Sequence, residues 1–168
     1  MDADSVGDAI SGLIRSYGEL NSQCVDELEE EPSPLEFMRY AAINRPFVIR
    51  GGCSRWRATK VWTAGYLEDR MGGDEVKVAI TPHGKSFTLL PPLEVACVGE
   101  RTFRSATYVR DEGERGLRIE EDEGGQEVPF PTWDPDRPEI RPTKFSHLSK
   151  PLRVELNAGD MLYLPALW

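Results

Sequence analysis

Any chemistry in this chain must start from a short inventory: His83 and His147, its only histidines, and Cys24, Cys53 and Cys97, its only cysteines. An imidazole can hold a metal or move a proton near neutral pH, and a thiolate can attack a substrate, provided that partners converge on it. His83 lies in a Pro-His-Gly turn and His147 in a Pro-flanked loop, and neither is followed at the second position by an acid. A surface histidine is the stronger reading of each. The thiols are odd in number, widely spaced and not beside a histidine, which fits reduced, packed cysteines better than nucleophiles, a disulfide framework or a zinc knuckle. Asp134 and Asp136 in Trp-Asp-Pro-Asp-Arg-Pro resemble paired acids, yet that pattern is more simply turn chemistry. The chain has no Gly-x-Ser-x-Gly elbow and no phosphate-cradling loop ending in Lys-Ser/Thr.

The elements that would position these side chains are legible from periodicity. Ser5 followed by Asp8 suggests a helix start, and Val6, Ile10, Leu13, Ile14 and Tyr17 recur at helical spacing. The acidic run 26–34 reads as a solvated helix end and loop. Ser33, Pro34 and Glu36 then open a second helix that runs to about Ile43. Residues 45–50 (RPFVIR) form a short strand before Gly51-Gly52, and 63–71 (TAGYLEDRM) a short helix ended by Gly72-Gly73. Trp56 and Trp62 are expected to anchor that helix to the strand layer. Residues 75–81 (EVKVAIT) alternate as a strand, and 106–110 and 116–120 pair around a charged turn. The proline-rich stretch 121–142 is expected to be a long ordered loop pinned by Phe130 and Trp133. The closing stretch LRVELNAGDMLYLPALW gives two strands, 152–156 and 161–164, around a Gly-Asp turn.

A chain that is 39% hydrophobic and 9% aromatic over 168 residues is globular and long enough for one domain. Its formal charge of −9, from 29 acidic and 20 basic residues, disfavours a nucleic-acid partner. No apolar run approaches a membrane span and the acidic start is not a targeting signal, so a membrane is not expected either. The cysteine usage makes an intracellular location the default expectation, in the cytoplasm and also the nucleus.

The stretch NAGDMLYLPALW resembles the GD-strand-P-x-x-W element of the Jumonji-C (JmjC) oxygenases. The series RPFVIRG, Trp, VW, YL, VKVAITP is similar to the N-terminal half of the small cytosolic JmjC branch, the lysyl hydroxylases also described as bifunctional peptidases. KSFTLLPP resembles that family's G-x-K-x-F-x-L-x-P-P strand. The resemblance implies an α+β, mainly β fold: a partial double-stranded β-helix, the cupin or JmjC jelly roll, behind N-terminal helices. It implies one partial domain over 1–168, with helices in 1–43, a strand and helix part in 44–84 and the C-terminal part of the jelly roll in 85–168.

The same resemblance implies Fe(II)- and 2-oxoglutarate-dependent protein hydroxylation, in which a His-x-Asp pair and a later His hold iron. It gives Lys85 the role of pairing with the distal carboxylate of 2-oxoglutarate; a lysine at a solvent-open edge is an equally good reading. Here the lysine strand follows TPHG directly. The His-x-Asp segment, on the order of a hundred residues in a full domain, is thus expected to be missing at a junction between Gly84 and Lys85. The family's second His would follow Trp168, where this sequence stops. The expectation is therefore a family member with an internal deletion and a C-terminal truncation, inactive as given, with no metal ligand or catalytic residue of its own and no cofactor. The related branch acts on lysine in small GTPases, which implies a protein substrate or partner. The alternative is a non-enzymatic protein-binding module that uses the remaining jelly-roll surface.

Overall fold

Phe47, Val48 and Ile49 are buried without a break, and this sets the architecture around them. A strand with one wet face alternates; one buried on both faces does not. In the computed structural model, which describes residues 3–73, 85–110 and 116–168, this strand is the middle of a three-stranded sheet. The chain divides into two compact units, one made of Met1–Glu19 with Leu93–Ser149 and the other of Leu20–Pro92 with Lys150–Trp168.

In the second unit, β1 (Asp26–Leu28) runs parallel to β2 (Phe47–Ile49), and β9 (Met161–Tyr163) pairs with β2 antiparallel. The register puts Phe47 opposite Tyr163 and Val48 opposite Leu162. Because side chains alternate across a strand, Phe47 and Val48 look into different layers. On one face, Phe37 and Tyr40 of α2 (Pro34–Ala42) pack against Phe47 and Tyr163 with ring centroids 4.5–6.4 Å apart. On the other, Val48 joins Val25, Leu89, Leu152 and Val154, with Leu156, Leu162 and Trp168 against them. Leu89 and Leu152 face each other in the antiparallel pair of β3 (Ser86–Leu89) and β8 (Leu152–Glu155).

The α2 start is built as expected. The Ser33 hydroxyl accepts from the Glu36 N–H at 3.3 Å, the Glu36 carboxylate accepts from the Ser33 N–H at 2.9 Å, and Pro34 fills the first turn. After it, Asn44 adopts φ 53° and the Trp168 indole donates to its carbonyl at 2.8 Å. Helix α3 (Arg57–Val61) is additional to the expected elements; α4 (Ala64–Met71) is the expected short helix ended by Gly72 at φ 58°, with Thr63 standing before it as a cap that accepts from the Tyr66 N–H.

In the first unit, α1 (Ala3–Leu20) starts before Ser5, so that serine lies inside the helix rather than capping it. Of its five expected face residues, Ile14 is the one fully buried, while Val6 and Leu13 are exposed. Strands β5 (Ala106–Arg110) and β6 (Leu117–Glu121) pair antiparallel, as do β4 (Arg101–Arg104) and β7 (Glu127–Phe130).

Several expectations are corrected. The acidic run holds a parallel strand at Asp26–Leu28, because its first two carboxylates have cationic partners: Asp26 takes Arg45 at 2.6 Å and Glu27 takes Arg50 at 2.6 Å. The stretch 121–142 is not all loop, since Val128 and Phe130 lie on β7 opposite Phe103 and Arg101. Trp133 is buried and donates to the Pro138 carbonyl, but Phe130 is 62% exposed and pins nothing. Trp56 and Trp62 are 57% and 63% exposed and anchor no strand layer. Strands β8 and β9 do not pair with each other; they leave the Gly159-Asp160 corner into different sheets. The expected strand 75–81 lies outside the described residues.

That corner is locked by Asp160. Its carboxylate accepts from the N–H groups of Asn157 and Gly51, each at 2.9 Å, and from Arg50 at 2.7 Å. These bonds, the backbone ones first, hold its carboxyl down at about 2 from an ordinary 3.8. A carboxyl whose affinity for protons falls on folding contributes its full stability above the higher value and loses it as pH drops through the lower. An Asp160→Asn variant is expected to unfold at lower urea than the parent at neutral pH, and the gap should narrow between pH 3.8 and about 2. Urea melts across that window check this, and a gap independent of pH contradicts it.

Candidate functional site

Lys85 is the one site residue the sequence puts forward, and it sits in the turn that feeds β3. Its carbonyl accepts from the Leu156 N–H at 2.9 Å, which extends the β3–β8 ladder by one rung. The side chain leaves the ladder into solvent at 61% exposure, donates to Asn157 Oδ1 at 3.3 Å and lies 3.9 Å from Glu155 Oε2. A carboxylate of the chain itself therefore stands beside the ammonium, and an incoming carboxylate ligand would compete with Glu155 for it. Such open pairs are worth little.

The other candidates stay apart. His147 is exposed on a short 3-10 turn, Ser146–Leu148, in the unit that does not contain Lys85. His83 and Gly84 lie outside the described residues. Among the described residues no group of three His, Cys, Asp or Glu side chains could hold a metal. Fe(II) in this chemistry needs two imidazoles and a carboxylate on one face, and the donors among the described residues do not fit it. Asp134 and Asp136 do turn work: Asp134 accepts from the Asp136 N–H at 2.9 Å and from Arg137 at 3.2 Å.

Cys97 is buried with its thiol toward the Phe145 carbonyl, in a knot where Ser146 donates to the Cys97 carbonyl at 2.6 Å and Thr143 to the Ala96 carbonyl at 2.9 Å. Burial, helped by the neighbouring Glu94 charge, pushes its pKa up to about 11. Cys53 is half-buried, and Cys24 is exposed rather than packed.

Sequence reasoning missed the polar frame of the second unit. Arg50 binds Glu27 through two nitrogens, at 2.6 and 2.9 Å, and also the Glu155 carbonyl and Asp160. Asp26 is held by Arg45 and by the Tyr40 hydroxyl at 3.1 Å. The only signals were the acids of the 26–31 run and the Gly-Asp pair, which periodicity does not connect to distant arginines. Two recesses flank this frame: an acidic cleft of about 660 Å³ with Glu29, Glu31, Tyr40 and Arg45 on its walls, and an apolar one of about 400 Å³ with Phe37, Ile49 and Met161. Neither is lined by a histidine or a cysteine. No helix among the described residues is long and apolar enough to cross a membrane.

The cupin-like domain family model matches residues 83–168. The chain is 40% identical over 75 residues to JmjC domain-containing protein E of Dictyostelium discoideum, covering 44% of this chain and 21% of that protein. It is 39% identical over 61 residues to the bifunctional peptidase and (3S)-lysyl hydroxylase JMJD7 of Homo sapiens, 36% of this chain and 19% of that one. Over 78 residues it is 33% identical to the lysine-specific demethylase JMJ32 of Arabidopsis thaliana, 45% of this chain and 23% of the relative. The matches thus span about a fifth of each relative's length.

Two outcomes follow from the geometry. Cys24 should react promptly with a disulfide reagent in the native state, whereas Cys97 should react only after unfolding; native and denatured thiol titrations of single-cysteine variants measure this. Lys85→Ala should lower stability by no more than about 0.5 kcal/mol, as for exposed ion pairs, in urea melts.

Proposed function

The chain belongs to the cupin-like domain family, and on that footing we propose that it is a partial JmjC jelly roll, a single incomplete domain, which does not itself catalyse oxygenation. JmjC relatives described as a hydroxylase and a demethylase support descent from Fe(II)- and 2-oxoglutarate-dependent enzymes. The observation that carries inactivity is the donor set: no histidine in the sequence has an acid two residues on, and His147 is exposed on its own turn. The Lys85 ammonium would take the distal carboxylate of 2-oxoglutarate once Glu155 was displaced.

A second reading, a non-enzymatic protein-binding module, is favoured by the state of the core. A damaged core would leave an open cleft lined by Val76, Ile80 and Leu89; Val76 and Ile80 lie outside the described residues, and Leu89 is 5% exposed and packed among Val48, Leu152 and Val154. The proposed partner is a protein, with small GTPases the class suggested by the related branch, and the proposed location is the cytoplasm.

The chain desalted after loading with Fe(II) is expected to retain no stoichiometric iron. Stoichiometric iron that is lost on changing His83 or His147 to Ala would overturn the proposal. Inserting the central segment of a full-length relative between Gly84 and Lys85, and extending past Trp168 with that relative's residues, should restore 2-oxoglutarate turnover dependent on Lys85. Turnover by the unmodified chain would count equally against the proposal.

A further inference from the structure

Residues 46–67 contain no Asp or Glu in a chain of net charge −9, yet they carry Arg50, Arg55, Arg57 and Lys60. Arg50 is consumed by Glu27 and Asp160. The side chains of Arg55, Arg57 and Lys60 are exposed and have no ion-pair or hydrogen-bond partner among the described residues. Trp56, between Arg55 and Arg57, and Trp62, two residues past Lys60, stand at the two ends of α3 and are 57% and 63% exposed. An exposed large aromatic beside unneutralised charge is the composition of interface hot spots.

The segment is also held in place. The Trp56 N–H donates to the Cys53 carbonyl at 3.0 Å, the Thr59 hydroxyl to the same carbonyl at 2.8 Å, and the Cys53 N–H to Gly159 at 2.7 Å. A surface fixed before binding loses less entropy when a partner arrives.

We propose that segment 55–62 is a docking surface for a short acidic peptide segment of a partner protein, its carboxylates meeting Arg55, Arg57 and Lys60 and its apolar side chains lying against Trp56 and Trp62. Helix α3 is only five residues long and Trp56 and Trp62 flank it in extended conformation, so the three cations and two indoles form one short run that a short peptide segment can follow. A long polyanion such as RNA, or an anionic vesicle surface, extends past the patch and meets a chain of net charge −9, whereas a short acidic segment meets only the patch. The proposal does not rest on the fate of the iron site.

The test is fluorescence anisotropy of a fluorescein-labelled peptide of Glu-Glu-Leu repeats titrated with the full chain. Saturable binding is expected, weakening about tenfold or more from low to physiological salt, as exposed charge pairs do. The combined Arg55→Glu, Arg57→Glu and Lys60→Glu variant should lose it, Trp56→Ala with Trp62→Ala should weaken it several-fold, and Arg15→Glu in α1 should leave it unchanged. Far-UV circular dichroism establishes that each variant is folded; if the triple variant is not, the salt dependence of the parent decides. No saturation, salt-independent binding, or equal binding by the folded triple variant overturns the proposal. So does tighter binding of polyuridylate RNA or of phosphatidylserine vesicles under the same salt.

Discussion

The guanidinium of Arg50 is the junction on which the second unit depends. Arginine offers five donors in a rigid plane, and here they reach Glu27 on β1, the Glu155 carbonyl at the end of β8 and Asp160 before β9. One side chain thus ties together three segments that would otherwise meet only through short strand pairings. Asp160 returns the favour by accepting from the backbone beside Arg50 and from Asn157. Its side chain is 7% exposed, so a change that removed Arg50 alone would leave a covered carboxylate without its cation, a costlier result than the loss of an open pair.

Around that junction the sheet is covered on both sides, by the aromatic layer under α2 and by the aliphatic cluster of Val48, Leu89 and Leu152. The strands are only three residues long, and such short pairings need two covered faces to persist. The other unit solves the same problem differently. Its loops are tied to the buried Cys97 backbone by Ser146 and to Ala96 by Thr143, while its two strand pairs expose Phe103, Tyr108, Ile119 and Phe130.

What was legible in the sequence followed from local signals. The Ser33-Pro34-Glu36 start, the Gly72 end of α4 and the alternation of Leu152 and Val154 each depend on neighbours within a few residues, and each is readable from the sequence. What was not legible depended on distant partners. Strand β1 looked like solvated acid because its neutralising arginines lie 19 and 23 residues on. Strand β7 was hidden by Pro129, which sits in a ladder despite lacking an N–H. The family was readable from the order of short motifs. The surroundings of Lys85 were not, since nothing in KSFTLLPP announces Glu155 or Asn157 beside it.

The corner between β8 and β9 has a consequence for how the chain is made. Arg50 and Asp160 are separated by 110 residues, and β2 finds its antiparallel partner only when β9 exists. At ribosomal speeds of about 5–20 residues per second, the strand holding Phe47 and Val48 waits on the order of ten seconds after its own synthesis with one edge open. Contacts of such long range also form slowly once the chain is free. During that interval the most apolar strand of the unit is its least protected, and the nascent chain is then most dependent on whatever shields exposed strands in the cell.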